Sequence, residues 1–165
     1  MIHIRKATAE DTAAIRQIAE EVWWPTYVPI IGEKQVGYMI ELFYSIETIA
    51  RQLDDGSQTY LLLEDEGQPV GFAAYSPRLE NKEVYKLHKL YCLTNRHGKG
   101  YGRILLQAVE EEAKLNGANR LELNVNRHNP AKNFYEKMGY IIAYEEDIDI
   151  GSGYWMNDYV MGKDL

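Results

Sequence analysis

The chain has 165 residues, is 45% hydrophobic and 26% charged, and carries a net charge of −7. The length fits one domain spanning 1–165, the apolar share is too high for a disordered chain, and the acidic balance argues against nucleic acid as a main partner, because phosphate binding is driven by basic surface. One cysteine, Cys92, excludes an internal disulfide and a cysteine-rich metal site, while 13 Tyr against three Trp and three Phe bring hydroxyls that need partners.

The N-terminus has no apolar stretch followed by a small-residue cleavage site, so a cytoplasmic location is expected. No segment approaches the ~20 apolar residues of a membrane span, and no membrane partner is expected. Ile2 to Lys6 reads as a strand. Thr8 reads as a helix N-cap with Asp11 completing the capping box. The helix that follows carries Ile15, Ile18, Ala19 and Val22 on one face. Pro25 restricts Trp24 to extended dihedrals, which predicts that this helix ends there in an aromatic loop. A second helix is predicted over Glu33 to Tyr44 and a third, capped by Ser45, over Ile46 to Leu53. Strands are predicted at Thr59 to Glu64, Val70 to Ser76 and Glu83 to Leu93. A helix from about Gly102 to Asn116 ends on Gly117, and Arg120 to Val125 is a strand. Asn129 and Pro130 start a short helix that reaches Lys137 before Gly139. Ile141 to Ile150 and Tyr154 to Lys163 form a hairpin across Gly151-Ser152-Gly153. This order predicts an α/β (α+β) fold whose central sheet is mixed, mostly antiparallel and flanked by helices.

The strand from Glu83 to Leu93 breaks its own alternation. Tyr85 and Leu87 share one parity, Leu90 and Cys92 the other. A β-bulge at His88-Lys89 absorbs the extra residue; alternatively Tyr91 and Leu93 pack on a second face.

Between that strand and the next helix lies His97-Gly98-Lys99-Gly100-Tyr101-Gly102-Arg103. Alternating glycines let backbone N–H groups converge on one anion, the helix start adds partial positive charge, and Lys99 and Arg103 add full charges. The pattern points to a phosphate ligand. A dinucleotide fingerprint fails because Arg103 stands where glycine is required, and a P-loop fails because no Ser or Thr follows Gly98-Lys99. His3, His88, His97 and His128 show no metal-ligand spacing, and no metal is expected.

The blocks Leu87-His88-Lys89-Leu90-Tyr91-Cys92-Leu93, His97-Gly98-Lys99-Gly100-Tyr101-Gly102 and Asn126-Arg127-His128-Asn129-Pro130-Ala131, continued by Phe134-Tyr135-Glu136-Lys137-Met138-Gly139-Tyr140, resemble the GNAT superfamily of acetyl-CoA-dependent N-acetyltransferases. Trp24-Pro25-Thr26-Tyr27 and Phe43-Tyr44-Ser45 resemble its bacterial spermine/spermidine-type subgroup. The resemblance implies acetyl-CoA as cofactor, with CoA as product. It places the pyrophosphate on the loop from His97 to Arg103, with His97 departing from the usual Gln or Arg. It pairs the pantetheine arm with Tyr91, Cys92 and Leu93. Asn129 then contacts the pantetheine or merely caps the helix, with Asn126 as a further contact. Tyr135 falls on the family tyrosine beside the sulfur and would protonate the leaving thiolate.

His88 is the candidate base, since imidazole with a pKa of ~6.5 suits proton uptake near neutrality; Glu83 and a water chain are alternatives. Cys92 as nucleophile is disfavoured, so direct attack on acetyl-CoA is expected. Trp24, Tyr27 and Tyr44, with Trp23 and Tyr38, are candidates to line the acceptor cleft. Glu145, Glu146, Asp147, Asp149 and Asp158 could draw a cation. The expected activity is acetyl transfer to a primary amine of a small molecule or peptide, polyamines and peptide N-termini included. A non-catalytic CoA-binding sensor is the rival reading, and a homodimer is open.

Overall fold

The computed structural model describes residues 1–93 and 99–165. His97 and Gly98 of the expected phosphate loop lie outside the described residues. The elements are β1 (Ile2–Lys6), α1 (Thr12–Ile31), α2 (Glu33–Tyr44), α3 (Ile46–Asp55), β2 (Thr59–Asp65), β3 (Gln68–Pro77), β4 (Val84–Cys92), α4 (Tyr101–Leu115), β5 (Arg120–Asn126), α5 (Ala131–Lys137), β6 (Ile141–Gly151) and β7 (Tyr154–Asp164). The seven strands form one sheet in the order β1-β2-β3-β4-β5-β7-β6. Every neighbouring pair is antiparallel except β4–β5, which is parallel and is joined by the crossover helix α4 that such a pair needs.

Each face of the sheet buries its own core. On one side Leu105, Leu106 and Val109 of α4 and Tyr135 of α5 pack on Leu63, Leu87, Leu121 and Leu123. On the other, Ile15, Val22, Val36, Ile40 and Ile49 of α1 to α3 pack on Tyr60, Leu62, Phe72 and Ala74. The alternation of β2 decides this, sending Leu61 and Leu63 one way and Tyr60 and Leu62 the other. No described helix is long and apolar enough to cross a membrane.

Local signals place the boundaries. The Thr8 N–H donates to the Asp11 carboxylate at 2.8 Å and opens a short 3-10 turn before α1. The Ser45 hydroxyl accepts from the Thr48 N–H at 3.1 Å and starts α3. Gly117 and Gly139 follow α4 and α5 with φ of 92° and 95°, a region that disfavours other residues. The expected stop at Trp24 does not occur, because α1 continues to Ile31 with Pro25 and Pro29 inside it. Both prolines are exposed and four residues apart, so the carbonyls they leave unpaired lie on the wet face. The opposite face buries Trp23 against Tyr27, with ring centroids 4.3 Å apart. Packing of that aromatic pair outweighs the two missing backbone bonds.

Candidate active site

The site begins with one extra residue. Tyr75 of β3 pairs with Leu87 and Ala74 with Lys89, so His88 stands opposite nothing on β3. The phase slip in the sequence is therefore a bulge. Leu87, Leu90 and Cys92 face the α4 side, whereas Tyr91 faces α1 to α3. Beyond the bulge β4 also leaves its other neighbour. Pairing with β5 runs from Val84–Arg120 to Leu87–Leu123 and stops. β5 continues to Asn126 along β7, so the sheet parts between β4 and β5. A strand edge with free N–H and C=O groups faces the gap.

Two cavities meet at this parting. A smaller one of about 50 Å³ lies among Leu90, Leu123, Asn129 and Tyr135. A larger one of about 200 Å³ is lined by residues of α1 to α3, β4, β5 and β7, including Trp23, Lys86, Asn126 and Asp158. His88, Lys89, Tyr91, Tyr27 and Asn124 border both.

On the smaller side, Tyr135 is 8% exposed, and its hydroxyl has no hydrogen-bond partner among the described residues. Burial, reinforced by Tyr27 and Cys92, raises its pKa, so the phenol stays protonated. Burial pushes the Cys92 thiol up to about 12. Asn129 uses both ends of its amide: it donates to the Tyr27 hydroxyl at 3.1 Å and accepts from the Ala131 N–H at 2.9 Å. The side chain thus caps α5 and ties it to α1, which favours the capping alternative. Tyr27 and Tyr91 share a hydrogen bond of 3.2 Å above the gap. The Leu93 N–H donates to Val70 at 2.8 Å, so this end of the strand remains tied to β3.

At the start of α4, Gly100 is left-handed with φ of 69°, and Lys99 and Arg103 are exposed. The Tyr101 side chain turns inward, is buried and donates to Asp65, so only its backbone faces the helix start. Gly102 lies against the Phe134 ring of α5, where a Cβ would make an ordinary contact at 3.4 Å.

On the larger side, the His88 imidazole is 2.7 Å from the Ser76 hydroxyl. Burial, with Lys86, Lys89 and Arg78 nearby, lowers its pKa to about 3. His88 is therefore neutral at physiological pH and holds a proton too weakly for the base role expected of it. Glu83 is exposed, binds Asn119 and does not line either cavity. Asp158 does line the larger one. It is buried, Asn124 donates to it at 3.2 Å and to Glu146 at 3.0 Å, and burial is the main cause that raises its pKa. Lys86 and Lys89 add two ammonium groups to the same wall.

The acetyltransferase (GNAT) family model matches residues 15–140. The chain belongs to this family. A spermidine N(1)-acetyltransferase from Thermoplasma acidophilum is 29% identical over 167 residues, covering 98% of this chain and 96% of the relative. An uncharacterized N-acetyltransferase of Bacillus subtilis, YhfO, is 28% identical over 152 residues, covering 88% of this chain and 91% of its own. The crystal structure of the PaiA N-acetyltransferase from Thermoplasma acidophilum, solved in complex with coenzyme A, superposes with a TM-score of 0.85 at 26% identity, covering 100% of this chain and 99% of that one.

Several residues in this GNAT chain differ in placement from the sequence expectation. Trp24 is 37% exposed and stands beside Gly37 on the outer side of α1, outside the cavity lining. Its neighbour Trp23 takes the inner place, because once α1 continues past Pro25 the helical period aligns Trp23 with Ala19 and Tyr27. Tyr27 and Tyr44 do line the cavity. Of the five acidic candidates on the last strand pair, only Asp158 reaches it; Asp147 instead pairs with Arg127 at 2.8 Å. Lys86, Lys89, Gln52, Gln58 and Asn124 were not legible as site residues. The bulge was the one available signal for Lys89, since shifting the parity moves it from the α4 face to the acceptor face.

Proposed function

We propose that this GNAT N-acetyltransferase moves the acetyl group of acetyl-CoA directly onto a neutral primary amine held in the larger cavity. The parting of β4 from β5 at His88 carries the reading, because it joins a strand edge suited to an extended thiol arm to a pocket for an acceptor. The pantetheine would run along Tyr91 to Leu93, and the pyrophosphate would meet the start of α4 with Lys99, Gly100, Gly102 and Arg103. His97 and Gly98 complete that loop in sequence.

In the reaction the amine nitrogen attacks the thioester carbon, and the tetrahedral oxyanion forms against N–H groups of the open β4 edge. The carbon–sulfur bond then breaks. Tyr135, buried and protonated, gives its proton to the departing sulfur. The amine proton passes to Asp158, whose burial makes it a stronger base than an exposed carboxylate. His88 orients the amine as a neutral hydrogen-bonding group fixed by Ser76. Cys92 takes no covalent part, since a thiol with its pKa near 12 is protonated at physiological pH. A cytoplasmic location belongs to the same reading and fits the single free cysteine.

Free thiol released from acetyl-CoA, followed with a panel of primary amines, tests this reading. Amine-dependent release is expected. Binding of coenzyme A without release for any amine would instead favour a sensor.

A further inference from the structure

Lys89 has no task in the reaction above, yet it lines the acceptor cavity while being only 5% exposed. Its cross-strand partner is Ala74, and Ala74 in turn pairs with Tyr60. The small residue between them lets the lysine lie across the sheet. There its ammonium donates to Gln52 Oε1 at 2.9 Å, Gln58 Oε1 at 3.0 Å and the Tyr60 hydroxyl at 2.5 Å. The rings of Tyr60 and Tyr44 stand 4.9 Å and 5.4 Å from it. All three ammonium donors are used, and none meets a carboxylate. Burial, with no carboxylate offsetting it, lowers its pKa to about 7. A buried cation without a counter-ion is costly, so it either gives up its proton or gains from a negative charge beside it.

The two glutamines extend the argument. Their carbonyl oxygens are turned to Lys89, so their NH₂ groups point elsewhere, and these have no protein acceptor among the described residues. Both glutamines line the cavity. That end therefore offers amide donors backed by a positive charge. Lys86 adds a second ammonium to the lining, against Asp158 alone on the acidic side. Such a lining repels a polycation.

We propose that the acceptor is an amino acid in the chemical sense, a primary amine whose other end is a carboxylate received by Gln52 and Gln58 over Lys89. This rests on the acetyltransferase reading and names its substrate class.

The test measures thiol release from acetyl-CoA with glycine, β-alanine, γ-aminobutyrate and longer homologues, each against its amide. Spermidine and putrescine serve as polyamine arms, and aminoalkyl phosphonates distinguish a carboxylate from oxyanions in general. At least one amino carboxylate is expected to exceed its amide by ~10-fold or more in kcat/KM, mainly through KM. Gln58→Glu, which sets a carboxylate against Lys89, is expected to erase that preference and leave the KM for acetyl-CoA unchanged. Lys89→Met gives a second reading once circular dichroism shows it folded. Equal use of acid and amide, better use of the polyamines, or preference for phosphonates over every carboxylate would overturn the proposal. Release with polyamines but not amino acids defeats only this inference; no release with any amine defeats the acetyltransferase reading and this one with it.

Discussion

Tyr135 shows how a single side chain can be judged before any assay. The ring of Tyr135 is buried, but its hydroxyl has no protein partner and is not closed off, so a group bound in the gap can reach it. Tyr135→Phe is expected to lower kcat by ~10- to 1000-fold with little change in acetyl-CoA affinity, and an unchanged rate would remove it from the reaction. Asp158→Asn keeps the size of the side chain and loses its basicity. A fall in kcat of ~100-fold, again at constant acetyl-CoA affinity, is expected by rapid-mixing thiol detection. Tyr135 was accessible from the sequence because it falls within a recognisable block. Asp158 was visible only as one of several acids on a strand pair, and nothing local in the sequence separates the one that turns inward. Lys89 was harder still, since a lysine in a strand reads as solvated until its small neighbour Ala74 and the hydroxyl of Tyr60 are known to lie beneath it.

Among the elements, β3 and β4 are held unusually close at Gly71. A Cβ there would come within 2.9 Å of the Cys92 sulfur and 3.1 Å of the Tyr91 carbonyl. Gly71→Ala is therefore expected to destabilise by ~1–3 kcal/mol, read as a lower thermal midpoint, and to weaken acetyl-CoA binding by displacing the strand edge at Tyr91 and Cys92. An unchanged midpoint would mean that the two strands yield easily. At the head of α4, Gly100→Asp adds both a negative charge and a residue ill suited to φ of 69°, so coenzyme A affinity measured by calorimetry should fall. The element order was legible because each helix and strand carries its own periodicity and most ends carry Ser, Gly or Pro signals. Pro25 misled for a physical reason: its local penalty is real, but the burial of Trp23 and Tyr27 lies on the opposite face and depends on partners distant in sequence.

The whole molecule should be pH-sensitive in a direction that its buried bases set. The His88 pKa falls from 6.5 to about 3 on folding, so between those values the unfolded chain binds a proton that the native state refuses. Its contribution is full above about 6.5 and is lost as the pH falls, by up to about 1.4 kcal/mol per pH unit. The Lys89 pKa falls from 10.5 to about 7, and the same logic makes stability grow as the pH rises through that interval. Asp11, held below its usual range by Arg5, adds to the acid loss; Asp158, shifted upward, opposes it. Urea midpoints should therefore be lower at about pH 5 than at about pH 8. His88→Gln should flatten the acid limb and Lys89→Met the alkaline one. Parallel profiles for wild type and both variants would show that neither group is buried as described.

The bulge at His88 also has an arithmetic consequence. Side chains alternate along a regular strand, but across the bulge Leu87 and Leu90, three residues apart, face the same side. A deletion of the single codon for His88 would restore plain alternation, with Leu87, Leu90 and Cys92 still towards α4 and Lys89 and Tyr91 still towards the acceptor, and would remove only the imidazole and the break opposite β3. The break in the strand and the charge at the end of the pocket are thus separable traits. One inserted residue supplies the first, and its loss would leave the ammonium facing the acceptor.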